Sequence, residues 1–280
     1  MLTFSRVVLL SCGGLACLAP VCARALDGTE TPAMTRVAPA RAFKSASDAL
    51  RQGLEADKAG DVKSSLAALE YAADGGRSLA LYKLGKMYAE GEGVAHDDAK
   101  AYEYYSRIVD KYDEDAPDRR EVSVVASAFV AVGVYTLNGI AKANVEPDPD
   151  RALHLFQFAA TNFGNANAQY NLARMFLDGN GVDKDSRQAA RWLSLAADKN
   201  HFQAQAVLGH LLFNGRDGIA RQRAKGLMWL TLARDGALDT EKDAWVVKLC
   251  NDAMAAASDD DRQAAAAYVA GRGKKAGAGN

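Results

Sequence analysis

The groups in this chain that could do chemistry are few, and their spacing builds no reaction centre. The four histidines, His96, His154, His201 and His210, do not stand at metal-ligand spacing. No serine is followed by lysine three positions on, the arrangement that activates a serine toward penicillins. Gly91-x-Gly93 and Gly179-x-Gly181 lack the third glycine and the lysine of a phosphate-cradling loop. Asp97-Asp98, Asp148-x-Asp150 and Asp259-Asp260-Asp261 lack the glycine and distal glutamate of a calcium loop, and read as solvated helix starts. The expectation is a protein without catalytic residues, cofactor or metal, and not an enzyme.

What the glycines do is organise helices. Over residues 168–200, Ala168, Leu172, Ala173, Met175 and Phe176 recur at the spacing of one helix face. Gly179 and Gly181 end that helix, since glycine takes the left-handed conformation of a helix C-terminus. Val182 plugs the corner, Asp183 or Asp185 caps the next helix, and Ala189, Trp192, Leu193, Ala196 and Ala197 form its buried face. A unit this short cannot bury its own apolar stripe, so it must stack on copies of itself.

The copies are present. Ala80, Leu84, Gly85, Tyr88, Gly91, Gly93, Val94, Ala101 and Tyr104 match position for position. A looser copy carries Ala128, Gly133 and Gly139, then Ala152, Leu155, Ala159 and Ala160 after a loop over residues 140–150 that replaces the glycine corner. A fourth carries Ala204, Leu208, Gly209, Leu212, Gly215, Gly226, Trp229 and Ala233. The anchors Gly85, Gly133, Ala173 and Gly209 lie 48, 40 and 36 residues apart, periods that mean a helical solenoid. These residues resemble the Sel-like repeat, a relative of the tetratricopeptide repeat, over residues 64–236. The resemblance implies an all-α, right-handed superhelical solenoid over residues 42–270, closed by a C-terminal capping helix pair.

Residues 42–59 and 64–74 read as a degenerate first pair, with Phe43, Ala46, Leu50 and Leu54 inward on its first helix. Past Gly236, residues 240–257 make another helix with Trp245 and Leu249 inward. Ser258 caps a last helix that ends at Ala270, ahead of a flexible tail over 271–280. At the other end, Arg6, the apolar core over 7–18 and Ala23-Arg24-Ala25 read as a cleaved signal peptide over residues 1–25, followed by a flexible leader over 26–41. That reading places the protein in the periplasm. Cleavage removes Arg6 and Arg24 and no acid, taking 34 basic residues to 32 against 35 acidic, a net charge of −3 that gives no case for nucleic acid. It also leaves Cys250 alone, a small core residue on a helical pattern with Val246, Val247, Leu249 and Met254.

By the tetratricopeptide analogy, the first helix of each pair lines a groove. The groove positions are Leu79, Tyr82 and Lys86; Ser127, Val130 and Val134; Asn167, Tyr170 and Arg174; Gln203, Ala206 and His210. Of these, Tyr82, Lys86, Asn167, Tyr170, Arg174, Gln203 and His210 are the candidate partner-binding residues, and Gly91, Gly93, Gly179 and Gly181 the structural corners. Protonation of His210 would add charge to a groove that holds Lys86 and Arg174, weakening a basic partner or loosening the fourth repeat.

Residues 71–94, 167–182 and 189–215, with the irregular second repeat and the export signal, are similar to the ExoR exopolysaccharide regulators of alphaproteobacteria over residues 48–237. That resemblance implies a periplasmic negative regulator that binds the periplasmic domain of a sensor histidine kinase of the ExoS/ChvG–ChvI type. Loss of the regulator, or its removal by a periplasmic protease, then raises exopolysaccharide synthesis and lowers motility. Contact with the membrane is expected only through this partner. The alternatives are a periplasmic Sel-like enzyme hydrolysing beta-lactams, whose relatives carry paired cysteines in every repeat, and a scaffold for cell-envelope machinery.

Overall fold

The computed structural model describes residues 43–277 except 116, 117, 119, 216 and 238–240. The signal peptide, the leader and the last three residues of the tail lie outside the described residues. The described chain is all-helical, with twelve α-helices in sequential pairs: α1 (Ala46–Lys58) with α2 (Val62–Asp74), α3 (Ser78–Glu90) with α4 (Asp98–Val109), α5 (Val122–Asn138) with α6 (Pro149–Asn162), α7 (Ala166–Asp178) with α8 (Ser186–Asp198), and α9 (Phe202–Asn214) with α10 (Arg223–Gly236). The last two are α11 (Ala244–Ala256) and α12 (Asp259–Gly277). Each helix packs on the one before and the one after as far as α11, and α12 lies on α10. First helices also touch, α3 on α5 and α9 on α11. Neighbour-only packing of this kind is what a repeat array requires.

One small residue in each first helix admits a side chain of the second. A Cβ at Gly53 would sit 2.9 Å from Leu69, at Gly85 2.7 Å from the Tyr105 ring, at Gly133 2.6 Å from Phe156 and at Gly209 2.8 Å from Leu230. In the third unit the position is Ala173, fully buried. The main core runs as two successive clusters, one reaching from Ala49 to Met175 and the next from Ala173 to Ala265, so both meet at α7, with a small third cluster of Ala206, Ala233 and Val246.

The corners follow one rule. Gly91, Gly179 and Gly215 close α3, α7 and α9 in the left-handed conformation, and the following Gly93 and Gly181 also have positive φ. The chain then returns by a backbone hydrogen bond from the next helix's N-cap to the carbonyl three residues before the closing glycine. These bonds are Asp97 N–H to Tyr88 (2.9 Å), Asp185 N–H to Phe176 (3.0 Å) and Gln222 N–H to Leu212 (2.8 Å). In the second unit Gly139 has φ 69° but ψ 172°, which throws the chain outward into a loop with a short 3-10 turn, Ala141–Ala143. Asp148 N–H nonetheless reaches Thr136 at 2.8 Å, the same bond in register. The insertion therefore leaves the pair geometry intact. Asp61, Asp97, Asp148 and Asp185 cap the second helices α2, α4, α6 and α8 through their side chains, each such cap contributing about 1 kcal/mol.

Gly179→Val tests the corner. Valine at φ 70° is strained by roughly 1–2 kcal/mol, and its Cβ would lie 2.7 Å from the Lys184 side chain. The expected outcome is a lower melting temperature with a native-like helical spectrum at 25 °C; an unchanged melting temperature would show that the corner tolerates Cβ.

Three expectations are corrected. Trp245 is 37% exposed, and the inward residues of α11 are Val246, Cys250 and Ala253. Leu249 is half-buried against the core. Ala206 is not open to a groove: it is fully buried in a cluster with Ala233 and Val246, because α11 covers that part of α9. The last helix passes Ala270 and continues to Gly277, the run Ala264–Ala267 offsetting glycines that each weaken a helix by about 1 kcal/mol. Its start is capped as expected, Ser258 Oγ accepting from Asp261 N–H at 3.1 Å.

Candidate partner-binding face

The candidate residues fall into separate groups. On α3, Tyr82 is half-buried with its ring 5.5 Å from Tyr105. Lys86 pairs one turn on with Glu90 at 3.2 Å. On α5 the corresponding positions are uncharged: Ser127, Val130 and Val134 are half-buried, and the helix has no charged residue. On α9, Gln203 is half-buried, and exposed His210 lies one turn before Asn214, whose amide nitrogen is 3.2 Å from its Nδ1.

Three candidates come together on α7. Arg174 Nη1 donates to Tyr170 Oη (3.3 Å) and Nη2 to Asp178 (3.2 Å). The bond to Tyr170 chiefly raises the guanidinium pKa, so the group is a fixed cation. Tyr170 stacks on His201, with centroids 4.8 Å apart and planes at 25°. His201 Nε2 lies 3.0 Å from Asn167 Oδ1. Asn167 and Arg174 are exposed and Tyr170 is half-buried.

His201 was not among the candidate groove positions, because it precedes its helix rather than lying on its face. It is the N-cap of α9, its Nδ1 accepting from Ala204 N–H at 3.1 Å. A backbone N–H can only donate, so Nδ1 carries the lone pair, and the neutral imidazole has its proton on Nε2. Nε2–H then donates to Asn167. Burial pushes the pKa of this imidazole below its ordinary value.

The sign of the resulting pH dependence follows. A base whose folded pKa lies below its unfolded value of about 6.5 takes up its proton more readily when unfolded. The His201 contribution is whole above pH 6.5 and is lost as pH falls toward the folded pKa, with a slope of up to about 1.4 kcal/mol per pH unit. His201→Asn keeps a capping side chain and removes the titration. The expected result is a smaller loss of urea stability between pH 7 and pH 5.5 in the variant than in the wild type; equal losses would place the effect elsewhere.

Two buried polar side chains escaped the sequence reading altogether. Gln169 and Gln205, each 3% exposed, sit at the same position of α7 and α9. Each donates its amide to a carbonyl in the last turn of the preceding helix pair, Gln169 to Ala160 (3.3 Å) and Gln205 to Ala197 (3.0 Å). These bonds fasten successive units through carbonyls at the ends of the preceding helices. Among the described residues, no three His, Cys, Asp or Glu side chains gather as a metal site would need.

The model of the Sel1 repeat matches residues 78–113, 126–162, 166–201 and 202–237, which hold the pairs α3–α4 through α9–α10. The chain belongs to the Sel1 repeat family. The pair α1–α2 and the helices α11 and α12 flank the four matched Sel1 units. The exopolysaccharide production negative regulator of Rhizobium meliloti (strain 1021) is 32% identical over 240 residues, covering 82% of this chain and 87% of that protein. The protein of the same description from Rhizobium leguminosarum bv. viciae is 34% identical over 219 residues, 78% of this chain and 79% of its own. This Sel1 protein is therefore homologous to exopolysaccharide production negative regulators. Among solved structures, a Sel1 repeat protein from Oxalobacter formigenes superposes with a TM-score of 0.57 at 25% identity, covering 76% of this chain and 89% of that one.

Proposed function

We propose that this Sel1 protein is a periplasmic negative regulator of exopolysaccharide production that acts by binding, not by catalysis. Its partner in this reading is the periplasmic domain of a membrane sensor histidine kinase, which it holds inactive. The observation that carries the reading is 32% identity to a negative regulator over 82% of the chain, so that the likeness extends beyond the repeat signature itself. The first helices α3 and α7 supply the means. They present the half-buried Tyr82 and Tyr170 beside Lys86 and Arg174, which pair with acids on the same helix, the kinds of residue that anchor protein interfaces.

The test is capture of the purified kinase sensor domain, together with exopolysaccharide output in a strain lacking the gene. Direct capture, with restoration of low exopolysaccharide by the wild-type gene, is the expected result. Failure of capture would overturn the partner, and failure to restore would overturn the regulatory role. Turnover of nitrocefin by the purified protein would replace the reading with the enzymatic alternative.

A further inference from the structure

The cluster at the junction of α7 and α9 has a hydrogen-bonding polarity that can be derived atom by atom. Ala204 N–H fixes the His201 lone pair at Nδ1, so Nε2 bears the proton and faces the Asn167 oxygen. The Asn167 amide is thereby oriented, and its NH2 group is turned away from His201. Arginine only donates, so Tyr170 Oη accepts from Arg174, and the tyrosine hydroxyl proton is left for another partner. Arg174 spends one N–H of Nη1 on Tyr170 and one of Nη2 on Asp178, which leaves Nε–H and one N–H on each Nη. The surface offers three kinds of donor: amide NH2, phenol O–H and guanidinium N–H.

These donors lie along one face of α7, from position 167 to 174, about 10 Å at 1.5 Å per residue. Roughly three residues of extended chain span that length. The ion pair of Arg174 with Asp178 is an exposed i,i+4 contact of about 0.3–0.5 kcal/mol and restrains the arginine little. We infer that this face of α7 binds an extended acidic peptide segment, whose carboxylate and main-chain oxygens accept from Asn167, Tyr170 and Arg174, with His201 as the positioning residue. The inference rests on the partner-binding reading above and names the chemistry of the segment bound. It replaces the basic partner considered from His210, since a lysine or arginine side chain would meet the Arg174 cation, and the carboxylate beside it, Asp178, is already paired with that arginine.

The test uses the full chain and three fluorescein-labelled peptides, with glutamate, glutamine or lysine on both sides of one leucine, followed by polarisation. Binding is expected for the glutamate peptide, at least tenfold weaker for the other two. Asn167→Asp keeps an oxygen for His201 Nε2–H but turns an acceptor outward, and should weaken the glutamate peptide at least tenfold. Tyr170→Phe keeps the ring on His201 and removes the O–H, and should weaken it about threefold. Melting curves of both variants check that the fold is retained. Equal binding of the three peptides, no binding of the glutamate peptide, or full affinity in folded Asn167→Asp would overturn the inference. Kinase capture by the same preparations separates the two readings: capture unchanged in both variants leaves the kinase partner standing and removes the donor face from its contact. Acidic-peptide binding without kinase capture would leave the donor face standing and remove the kinase.

Discussion

Gly226→Ala is expected to cause a large loss of stability for a single added methyl group. The closest approach of helix backbones in the fourth unit is at Gly209 and Gly226. A Cβ at Gly226 would lie 2.5 Å from the Phe213 nitrogen and 2.7 Å from the Gly209 carbonyl oxygen. Both are main-chain atoms, which cannot swing aside, so α10 must move away from α9. Overpacking of this kind destabilises by up to about 3 kcal/mol. At Gly85, by contrast, the nearest atoms belong to the Tyr105 ring, a side chain that can tilt, and Gly85→Ala should cause a loss nearer 1 kcal/mol.

Because a repeat array opens unit by unit, the damage at Gly226 should be local as well as large. Cys250 reports it. The thiol is fully buried against the fourth unit and its covering helices, and burial raises its pKa. Thiol labelling at Cys250, read by mass spectrometry, should be slow in the wild type and at least tenfold faster in Gly226→Ala. Hydrogen exchange should rise in α9 to α12 and stay unchanged in α1 to α4. A variant that melts and labels like the wild type would mean that α9 and α10 separate at no cost.

The contrast between legible and hidden features has a physical basis. Gly91, Gly93, Gly179 and Gly181 could be read because each occupies positive φ, where only glycine is unstrained, and their phase repeats. Gly85, Gly133 and Gly209 could be read because each faces a bulky neighbour. Gln169 and Gln205 could not, since glutamine is ordinarily exposed and its burial here depends on a carbonyl of the preceding unit, joined at Gln169 by Lys199. Trp245 misled for a related reason. Its bulk suggested the core, whereas the register of α11 is set by the small residues Cys250 and Ala253 beside Val246, which allow the helix close to α9 and α10. The candidate face was half legible. Periodicity along α7 put Asn167, Tyr170 and Arg174 on one side, but His201 reaches them from the start of another helix, a contact that helical spacing does not encode.

Arg174 offers the sharpest test of that face, because its role in folding and its role in binding differ in size. In the folded chain it contacts Tyr170 four residues before it and Asp178 four after, both on its own helix. Exposed contacts at that spacing contribute about 0.3–0.5 kcal/mol each, so Arg174→Ala should shift the melting temperature by only a degree or two. An interface anchor is worth about 2 kcal/mol or more, some thirty-fold in affinity. In the proposed reading Arg174→Ala therefore binds the kinase sensor domain about thirty-fold more weakly, raises exopolysaccharide in cells and remains folded. Tyr170→Ala should match it in binding but lose more stability, because it also removes the ring stacked on the cap of α9. If both folded variants bind the sensor domain as the wild type does, neither residue belongs to the contact, and the uncharged surface of α5 with Val130 and Val134 becomes the next place to probe.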